Sequence, residues 1–574
     1  MLFFEHFKAN TVRIGIYLLI FLISIRISFA QEKKPDYIRP LDIPMMLSAT
    51  FGELRPGHFH AGLDMKTKAQ TGLKVRAIGD GYIYRIKIQR GGYGKTVYIK
   101  HPGGTISVYA HLDKFAGDLQ DYVKRHQYDK KSFFIELFPG ESSFPVKKGQ
   151  IIAYSGNTGS SSGPHLHFEI REGESYPVNP MRYGFRVDDT IAPVLRNLYV
   201  YSLNDTSSVQ DARGRVKAVV HRKKHRLYEV EGMDAYGMIG LGIDAYDQAN
   251  NTYNKNGLYR VEMWVNGLKV YETRMDKISY GTTRNINVLI DYPYYVRKRR
   301  YIQRLWKHDA ARLPVFSVLV NKGKIKVEDG KLYRVKIKLS DFEGNASLVE
   351  MTIKGKKTSI TGSPAKTKTP FFVRRKKDFK ITGQRTEIYF PPGTFYEDVY
   401  LKFTEFANGF EILPDNIPVN NKFTVKYSLE KVPGSKKKFA YLAKVNPRTK
   451  KAYFSTARKK HDSIVLRTRS LGTYFIKYDS IAPKITKINI KDGQWITNYR
   501  YLRFRVWDET GIQTVNAYID GKWILTEWDY KTGKAFYDFN DLKFEGSKHT
   551  LRIVVTDRVG NKTEKKLIFH RKFR

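Results

Sequence analysis

Cysteine is absent from this chain of 574 residues, and acidic residues are scarce. Without thiols the protein has no disulfide framework, no thiolate metal cluster and no cysteine nucleophile. Its domains must therefore be stabilised by apolar cores, which a chain with 41% hydrophobic residues can build. The 56 Asp and Glu residues stand against 101 Lys and Arg residues, so the formal net charge is +45.

Long apolar runs are also absent after the first 30 residues. The one N-terminal run, residues 14–25, follows Lys8 and Arg13 and precedes the small-residue sequence Ser28–Ala30. It is shorter than the roughly 20 residues that a membrane-spanning helix needs, so residues 1–30 are predicted to be a secretory signal peptide. A retained anchor is the alternative. We expect the mature protein to be exported to the periplasm or cell envelope, or to the exterior, without a membrane span.

The excess positive charge will attract polyanions. For an exported protein these are anionic envelope polymers, and the sequence shows no nucleic-acid-binding motif, so we expect no nucleic-acid partner. High charge also favours solubility, and the charge alone does not decide between the two interpretations.

Two glycine-rich segments resemble functional loops but lack the required residues. Residues 91–96 end like a phosphate-binding loop, yet Gln89 stands where that motif needs its first glycine, and no helical pattern follows. A turn between strands is predicted instead. Residues 157–164 show no serine–histidine nucleophile pattern, and we interpret them as a tight loop that leads into His165.

Five polar residues form an ordered set that is typical of a catalytic metal site. They are His60, Asp64, His111, His165 and His167. Catalytic zinc takes three imidazole or carboxylate ligands and keeps a fourth position open for water. Residues two apart in a strand share a face and lie roughly 7 Å apart, so one histidine of the 165/167 pair can bind the metal while the other reaches the substrate. His60, Asp64 and one histidine of that pair would be the ligands.

With their surroundings, these residues resemble the lysostaphin-like zinc metallopeptidases, which are murein endopeptidases that cut peptide cross-links in bacterial cell walls. The similarity includes residues 51–60, 81–82, 92–94, 109–112, 146–150, 156–159 and 165–169. The resemblance implies zinc as the cofactor, peptidoglycan peptides as the substrate, and an antiparallel β-sheet fold.

The resemblance also implies a role for each site residue. His60, Asp64 and His167 would be the zinc ligands. His111 and His165 would position or deprotonate the attacking water and stabilise the oxyanion.

Two functions of other classes are open alternatives to an exported zinc metalloendopeptidase that cleaves cross-links or stem peptides. One is a non-catalytic wall-binding or amidase-activating regulator, because degenerate relatives of such enzymes lose ligands and act in that way. The other is a structural or adhesive envelope protein with an accessory peptidase domain. The complete five-residue set favours the enzyme.

Strand patterns broken by glycine turns predict a mostly β fold. The peptidase domain is predicted at residues 40–187. An insertion at about residues 115–145 combines a helical pattern with one strand, predicted at residues 132–137. It could form one wall of the substrate groove, or it could simply pack on the surface of the domain.

The chain repeats itself beyond the peptidase domain. The sequence at Asp189–Pro193 returns at Asp479–Pro483, and that at residues 340–345 returns at residues 556–561. These repeated sequences predict two copies of a β-sandwich module that resembles bacterial immunoglobulin-like domains.

We predict these copies at residues 188–355 and 479–574. A basic linker at residues 356–369 and a β-rich domain of unassigned family at residues 370–478 would lie between them. The modules are expected to position the peptidase without taking part in the chemistry, and a fragment ending near Val187 is expected to fold alone.

Overall fold

The computed structural model describes residues 36–224, 226–358 and 368–573. The predicted signal peptide lies outside the described residues, as does most of the predicted linker. Strands dominate the described chain, so the prediction of a mostly β fold is confirmed. Among the described residues, no helix has both the length and the apolar character needed to cross a membrane.

The first domain, residues 36–187, consists of short strands and one helix of three turns. Its elements are β1 (Leu47–Ala49), β2 (Leu54–Arg55), β3 (His58–Phe59), β4 (Leu63–Lys66), β5 (Lys74–Arg76), β6 (Gly81–Ile88), β7 (Lys95–Lys100), β8 (Thr105–Leu112), β9 (Lys114–Phe115), α1 (Asp118–Asp129), β10 (Ile135–Leu137), β11 (Pro145–Val146), β12 (Ile151–Tyr154), β13 (His165–Glu172), β14 (Pro177–Val178) and a 3-10 turn (Pro180–Tyr183).

Nine of these strands form one antiparallel sheet. Along it lie β1, β4, β13, β8, β7, β6 and β10 in that order, with β11 beside β6 and β14 beside β13. A smaller sheet contains β5, β12 and β9, and β2 pairs with β3. Because β13 lies between β4 and β8, its side chains can meet those of both neighbouring strands.

The predicted insertion forms helix α1 and strand β10. Leu119 and Val123 lie one turn apart and are both buried, as the helical spacing predicts. The strand expected at residues 132–137 is shorter and pairs with β6 at the edge of the main sheet.

The first module, residues 188–355, is built on the long strand β19. Its elements are β15 (Val194–Ser202), β16 (Ser208–Val209), β17 (Arg215–Lys217), β18 (Val220–Arg222), β19 (Leu227–Tyr246), β20 (Arg260–Val265), β21 (Leu268–Arg274), a 3-10 turn (Thr283–Asn285), α2 (Ile286–Leu289), α3 (Tyr292–Lys298), β22 (Gln303–Arg304), β23 (Phe316–Leu319), a 3-10 turn (Asn321–Gly323), β24 (Ile325–Val327), β25 (Leu332–Ser340) and β26 (Ala346–Gly355).

The central domain, residues 370–478, has two sheets around one core. Its elements are β27 (Phe371–Val373), β28 (Phe379–Thr382), β29 (Thr386–Phe390), β30 (Val399–Phe406), β31 (Gly409–Leu413), β32 (Phe423–Ser428), α4 (Gly434–Lys437), β33 (Ala440–Val445), β34 (Ala452–Phe454), β35 (Arg458–Lys460), β36 (Ser463–Thr468) and β37 (Gly472–Tyr478). One sheet has the order β27-β30-β31-β37-β33-β34, and the other has the order β28-β29-β32-β36-β35.

The second module, residues 479–573, is also a sandwich of two sheets. Its strands are β38 (Lys484–Thr486), β39 (Gln494–Trp495), β40 (Tyr501–Trp507), β41 (Ile512–Ile519), β42 (Lys522–Ile524), β43 (Glu527–Trp528), β44 (Lys534–Asp538), β45 (Lys548–Asp557) and β46 (Lys562–His570). The sheets have the orders β38-β40-β44-β43 and β39-β46-β45-β41-β42.

The two modules share a strand order. In the second module β39 runs parallel to β46, and β45, β41 and β42 follow. In the first module the N-terminal part of β19 runs parallel to β26, and β25, β20 and β21 follow. The C-terminal part of β19 pairs with β15, as β40 pairs with β38. The sequence repeat thus corresponds to a repeat of topology, although in the first module one long strand, β19, pairs with both β15 and β26.

The hydrophobic core of the first domain continues into the first module. Met275, Ile278 and Leu289 are buried in the same cluster as the apolar residues of the main sheet. The backbones also join, because the amide of Ile278 donates to the carbonyl oxygen of Pro177 at 3.0 Å. This shared core argues against the expectation that a fragment ending near Val187 folds alone.

The shared core predicts that a cavity in the first module weakens the first domain. Replacing Ile278, which is 1% exposed, by alanine should lower the free energy of unfolding by about 2–5 kcal/mol. Hydrogen exchange during urea unfolding should show faster exchange in β4 and β13 as well as in the module. The control is Ile568→Ala, at a position 37% exposed in β46. Unchanged protection of β4 and β13 in Ile278→Ala would show that the two cores are independent.

Candidate metal centre

Three neighbouring strands, β4, β8 and β13, carry four of the five predicted site residues, and His60 lies in the short segment between β3 and β4. On β13, His167 lies opposite Asp64 of β4 on one side and Ala110 of β8 on the other. His111 follows Ala110 directly. Because alternate residues of a strand share a face, His165 lies on the same side of β13 as His167.

The side chains of His60, Asp64 and His167 meet at a single point. His60 Nε2 lies 3.0 Å from Asp64 Oδ1 and 3.1 Å from His167 Nδ1. His167 Nδ1 lies 2.8 Å from Asp64 Oδ1. All three side chains are buried, and they form a group whose donor atoms are close enough to share one metal ion.

The remaining two histidines stand next to this group. His165 Nε2 lies 3.5 Å from Asp64 Oδ1. The His111 ring centroid is 4.8 Å from that of His165 and 5.8 Å from that of His167. The structure therefore brings all five predicted residues together, with His167 rather than His165 closest to His60 and Asp64.

The outer nitrogens of two histidines fix where their protons lie. His60 Nδ1 donates to the carbonyl oxygen of Thr50 at 2.7 Å, and His167 Nε2 donates to the Glu169 carboxylate at 2.8 Å. A neutral imidazole with its proton on the outer nitrogen has a lone pair on the inner one. Two nitrogen lone pairs and a carboxylate oxygen then face one another, an arrangement that a cation stabilises. These ligand types and their number fit zinc.

The same concentration of negative charge acts on the pKa values of the site. Burial lowers the pKa of the His167 imidazole, but hydrogen bonds to Asp64 and Glu169 outweigh burial and raise the pKa to about 9. Burial raises the pKa of Asp64, but the adjacent imidazole of His60, together with those of His165 and His167, holds it well below its usual range. The site therefore attracts positive charge.

Glu169 is fully buried and is held by a cluster of donors. Arg171 Nε donates to it at 2.6 Å, Tyr280 from the first module donates at 3.0 Å, and the Tyr93 hydroxyl donates as well. Burial raises the pKa of Glu169, but Arg171, His167 and Tyr93 outweigh that effect and lower the pKa. A carboxylate so held fixes the His167 ring, as partners of metal-binding histidines commonly do.

Arg55 orients the Asp64 carboxylate from the other side. Its Nη2 donates to Asp64 Oδ2 at 3.0 Å and to Glu53 Oε2 at 3.1 Å. Oδ2 is thereby occupied, and Oδ1 is the oxygen that faces His60 and His167.

His111 and His165 are anchored by backbone carbonyls of the loop at residues 157–163. Their Nδ1 atoms donate to the carbonyl oxygens of Thr158 and Gly163, each at 2.9 Å. Both rings therefore leave Nε2 as a proton acceptor. Burial, together with the nearby His167 and His165, lowers the pKa of His111 to about 3, which keeps this imidazole neutral near pH 7.

Four supporting residues had no role assigned from the sequence: Arg55, Tyr93, Glu169 and Tyr280. The sequence could have indicated Glu169, because this residue continues the alternation of His165 and His167 along one face of β13. No sequence pattern indicated Tyr280, since it lies 111 residues beyond Glu169 and in the first module.

The second module contacts the loop that anchors His111 and His165. Lys531 Nζ donates to the carbonyl oxygens of Asn157 at 2.6 Å and Ser161 at 2.9 Å. Nearby, Lys95 Nζ of the first domain donates to Glu527 at 2.7 Å. The two regions are therefore joined by charged contacts beside the site.

The insertion also packs against the second module. Lys124 forms an ion pair with Asp541, and the Phe134 ring lies 6.1 Å from that of Trp528. A cleft of about 520 Å³ runs between the insertion, the second module and the loop carrying Thr158. None of the five site residues lines this cleft, so both sequence-based alternatives for the insertion stay predictions.

Two family models match separate parts of the chain. Peptidase family M23 matches residues 58–128 and 141–180, and the gap between these stretches falls in the predicted insertion. The Zu5-like domain matches residues 371–479, which correspond to the domain that the sequence left unassigned.

Several curated proteins are similar to part of this chain. A DD-carboxypeptidase/endopeptidase Mpg from Neisseria meningitidis is 34% identical over 156 residues, which are 26% of this chain and 30% of that protein. The peptidoglycan DD-endopeptidase ShyB from Vibrio cholerae is 33% identical over 124 residues, which are 21% of this chain and 22% of that protein. The chain thus spans less than a third of these relatives.

A solved structure, the catalytic domain of the antimicrobial peptidase lysostaphin from Staphylococcus simulans, is 26% identical. It covers 23% of this chain and 87% of its own chain, with a TM-score of 0.18.

The position of Glu169 predicts that it supports metal binding through His167. Glu169→Gln keeps the shape of the side chain but removes its charge, and we expect zinc affinity to fall about 10- to 100-fold. The measurement is competition with a chromophoric chelator. The matched control is Glu174→Gln, an exposed residue just beyond β13, which should leave affinity unchanged. Equal affinity in Glu169→Gln and the unmodified protein would remove Glu169 from the centre.

Proposed function

We propose that the protein is an exported zinc metalloendopeptidase that hydrolyses peptide bonds of bacterial peptidoglycan, since residues 58–128 and 141–180 match peptidase family M23. The observation that carries the proposal is the meeting of His60 Nε2, Asp64 Oδ1 and His167 Nδ1, each within 3.1 Å of the others. The names of the similar proteins from Neisseria and Vibrio support the substrate class. Export rests on the sequence of residues 1–30.

In this proposal His60, Asp64 and His167 hold the zinc ion. When bound there, zinc lowers the pKa of a water to about 7 and polarises the scissile carbonyl. Arg55 keeps Asp64 Oδ1 turned inward, and Glu169 keeps the proton of His167 on Nε2. Burial of the three ligands excludes bulk water from their donor atoms.

In this proposal His111 and His165 act as general bases and general acids. Each has Nδ1 engaged with a backbone carbonyl, so its Nε2 can accept a proton from the attacking water. Once protonated at Nε2, the same histidine can donate to the developing oxyanion or to the departing amine.

The non-catalytic regulator is the second candidate function. It would need no acceptor nitrogens beside a metal, whereas Nδ1 of both His111 and His165 is engaged by a backbone carbonyl, which supports a role for Nε2 as an acceptor. In the adhesive protein, the later domains do the main work and the peptidase domain is an accessory. Binding of peptidoglycan without its cleavage would favour either alternative over the enzyme.

The proposal predicts that metal binding and chemistry separate by mutation. His60→Ala should abolish zinc retention and activity together, because a centre with three ligands cannot easily lose one. His111→Ala should keep zinc and lower turnover by about 10²- to 10⁴-fold. Elemental analysis for zinc and mass spectrometry of released muropeptides, with and without a chelator, measure the two effects.

The exposed His461→Ala is the matched control for these variants. Absence of released products from zinc-loaded, unmodified protein would favour the regulator over the enzyme. If His165→Ala strips the metal while His167→Ala does not, the roles within that pair are reversed.

Contacts from the second module predict that it affects catalysis on a small soluble peptide, unlike the expectation of a purely positioning role. Lys531→Met removes donors worth about 0.5–1.5 kcal/mol to the loop that anchors His111 and His165, so kcat should fall about 2- to 10-fold with zinc content unchanged. The control is Lys522→Met, an exposed position in the same module. A rise in kcat would instead show that this contact inhibits the enzyme.

A further inference from the structure

Each repeated module contains a group of three carboxylates at its N-terminal joint. The groups are Asp189, Asp247 and Asp341 in the first module, and Asp479, Asp508 and Asp557 in the second. Within each group, one oxygen from every residue lies within 4.8 Å of the others. We call them the first and second triads.

The two triads occupy equivalent places in the repeated fold. Asp189 and Asp479 begin the repeated sequence that enters each module. Asp247 follows β19, and Asp508 follows β40. Asp341 and Asp557 begin the turns that lead into the last strand of each module, β26 and β46. The repeat therefore includes the carboxylates as well as the strands.

The same hydrogen bonds hold both triads in place. Asn345 Nδ2 donates to Asp341 Oδ2 at 2.7 Å and to the carbonyl oxygen of Asp189 at 2.9 Å. In the second module, Asn561 Nδ2 donates to Asp557 Oδ2 at 2.7 Å and to the carbonyl oxygen of Asp479 at 2.7 Å. These asparagines fix the loops without bringing any positive charge.

Each triad contains a buried carboxylate oxygen that has no hydrogen-bond partner. They are Oδ1 of Asp247, a residue 5% exposed, and Oδ2 of Asp479, a residue 8% exposed. In the first module both polar atoms of the buried Asn256 side chain also lack a partner. Asn256 pairs with Asp247 in an antiparallel bridge, so their side chains face the same way. Buried polar atoms are rarely left in this state without a ligand.

The negative charge of the triads is not offset by ion pairs in the part of the chain that the structure describes. Throughout residues 36–224, 226–358 and 368–573, none of the six aspartates forms an ion pair with a basic side chain. Two basic groups beside the joints bind backbone carbonyls instead: Arg226 donates to Thr190, and Lys459 donates to Lys438. Burial, together with Asp341 and Asp189, raises the pKa of Asp247 to about 8.

We propose that each triad binds one calcium ion. The available ligands are oxygens, which hard divalent cations prefer, and the sites offer no imidazole or thiolate for a softer metal. Ca²⁺ takes six to eight oxygen ligands in adaptable geometry, whereas Mg²⁺ demands a near-ideal octahedron. Three carboxylates from three separate loops suit the adaptable ion, and waters or backbone carbonyls would complete its shell.

Such ions would fix the joints between domains. Asp189 lies two residues beyond the first domain, and the neighbouring Glu343 forms an ion pair with Arg186 of that domain. Asp479 directly follows the central domain, whose last strand ends at Tyr478. An ion at each joint would tie the incoming chain to two loops of the module that follows. The orientation of the second module, and with it the Lys531 contact beside the metal centre, would then depend on calcium.

The experiment uses the full chain after removal of calcium with EGTA. Equilibrium dialysis should show two Ca²⁺ bound per chain, with dissociation constants of about 10⁻⁴ to 10⁻³ M, as for extracellular calcium modules. The unfolding temperature should rise with Ca²⁺. Asp247→Asn and Asp508→Asn should each leave one bound ion, and the double variant should bind none. The exposed Asp205→Asn is the matched control and should keep both.

Folding of the variants is checked in the same titration. Without calcium, Asp247→Asn and Asp508→Asn should unfold at or above the temperature of the unmodified protein, because each removes repulsion among buried carboxylates. The proposal is wrong if no Ca²⁺ binds at about 10 mM, roughly ten times the weakest expected constant, or if neither substitution changes the number bound. Equal binding of Mg²⁺ with the same dependence on the variants would contradict the assignment to calcium.

Discussion

The imidazole of His167 is held between two carboxylates, and the candidate metal centre depends on that arrangement. Glu169 accepts the hydrogen bond from Nε2, so the lone pair on Nδ1 faces Asp64 and His60. The adjacent strands set this geometry, since Asp64 lies opposite His167 in the register of β4 and β13. A slip of one residue would turn His167 to the other face of the sheet and dismantle the centre.

The centre also depends on parts of the chain outside its own domain. Tyr280 of the first module helps to hold Glu169, and Lys531 of the second module holds the loop that anchors His111 and His165. The hydrophobic core crosses the boundary of the first domain as well. The catalytic unit in this account therefore extends beyond the segment that matches peptidase family M23, and the joints between domains acquire a functional role.

Local pattern predicted those features that depend on a few neighbouring residues. Alternation along β13 indicated the shared face of His165 and His167, and helical spacing indicated α1. Ordered motifs identified five residues that the structure brings together, while the role of each stays a prediction. Tyr280 and Lys531 could not be predicted, because their contacts depend on how domains pack across more than a hundred residues of sequence.

The central claim is that zinc binds where His60, Asp64 and His167 meet. Anomalous X-ray diffraction from crystals of the zinc-loaded protein, recorded on both sides of the zinc absorption edge, tests it most directly. The account predicts one strong peak at about 2.0–2.2 Å from His60 Nε2, Asp64 Oδ1 and His167 Nδ1. A peak bound by His111 or His165 in place of one of these ligands, or no peak among the five residues, would contradict it.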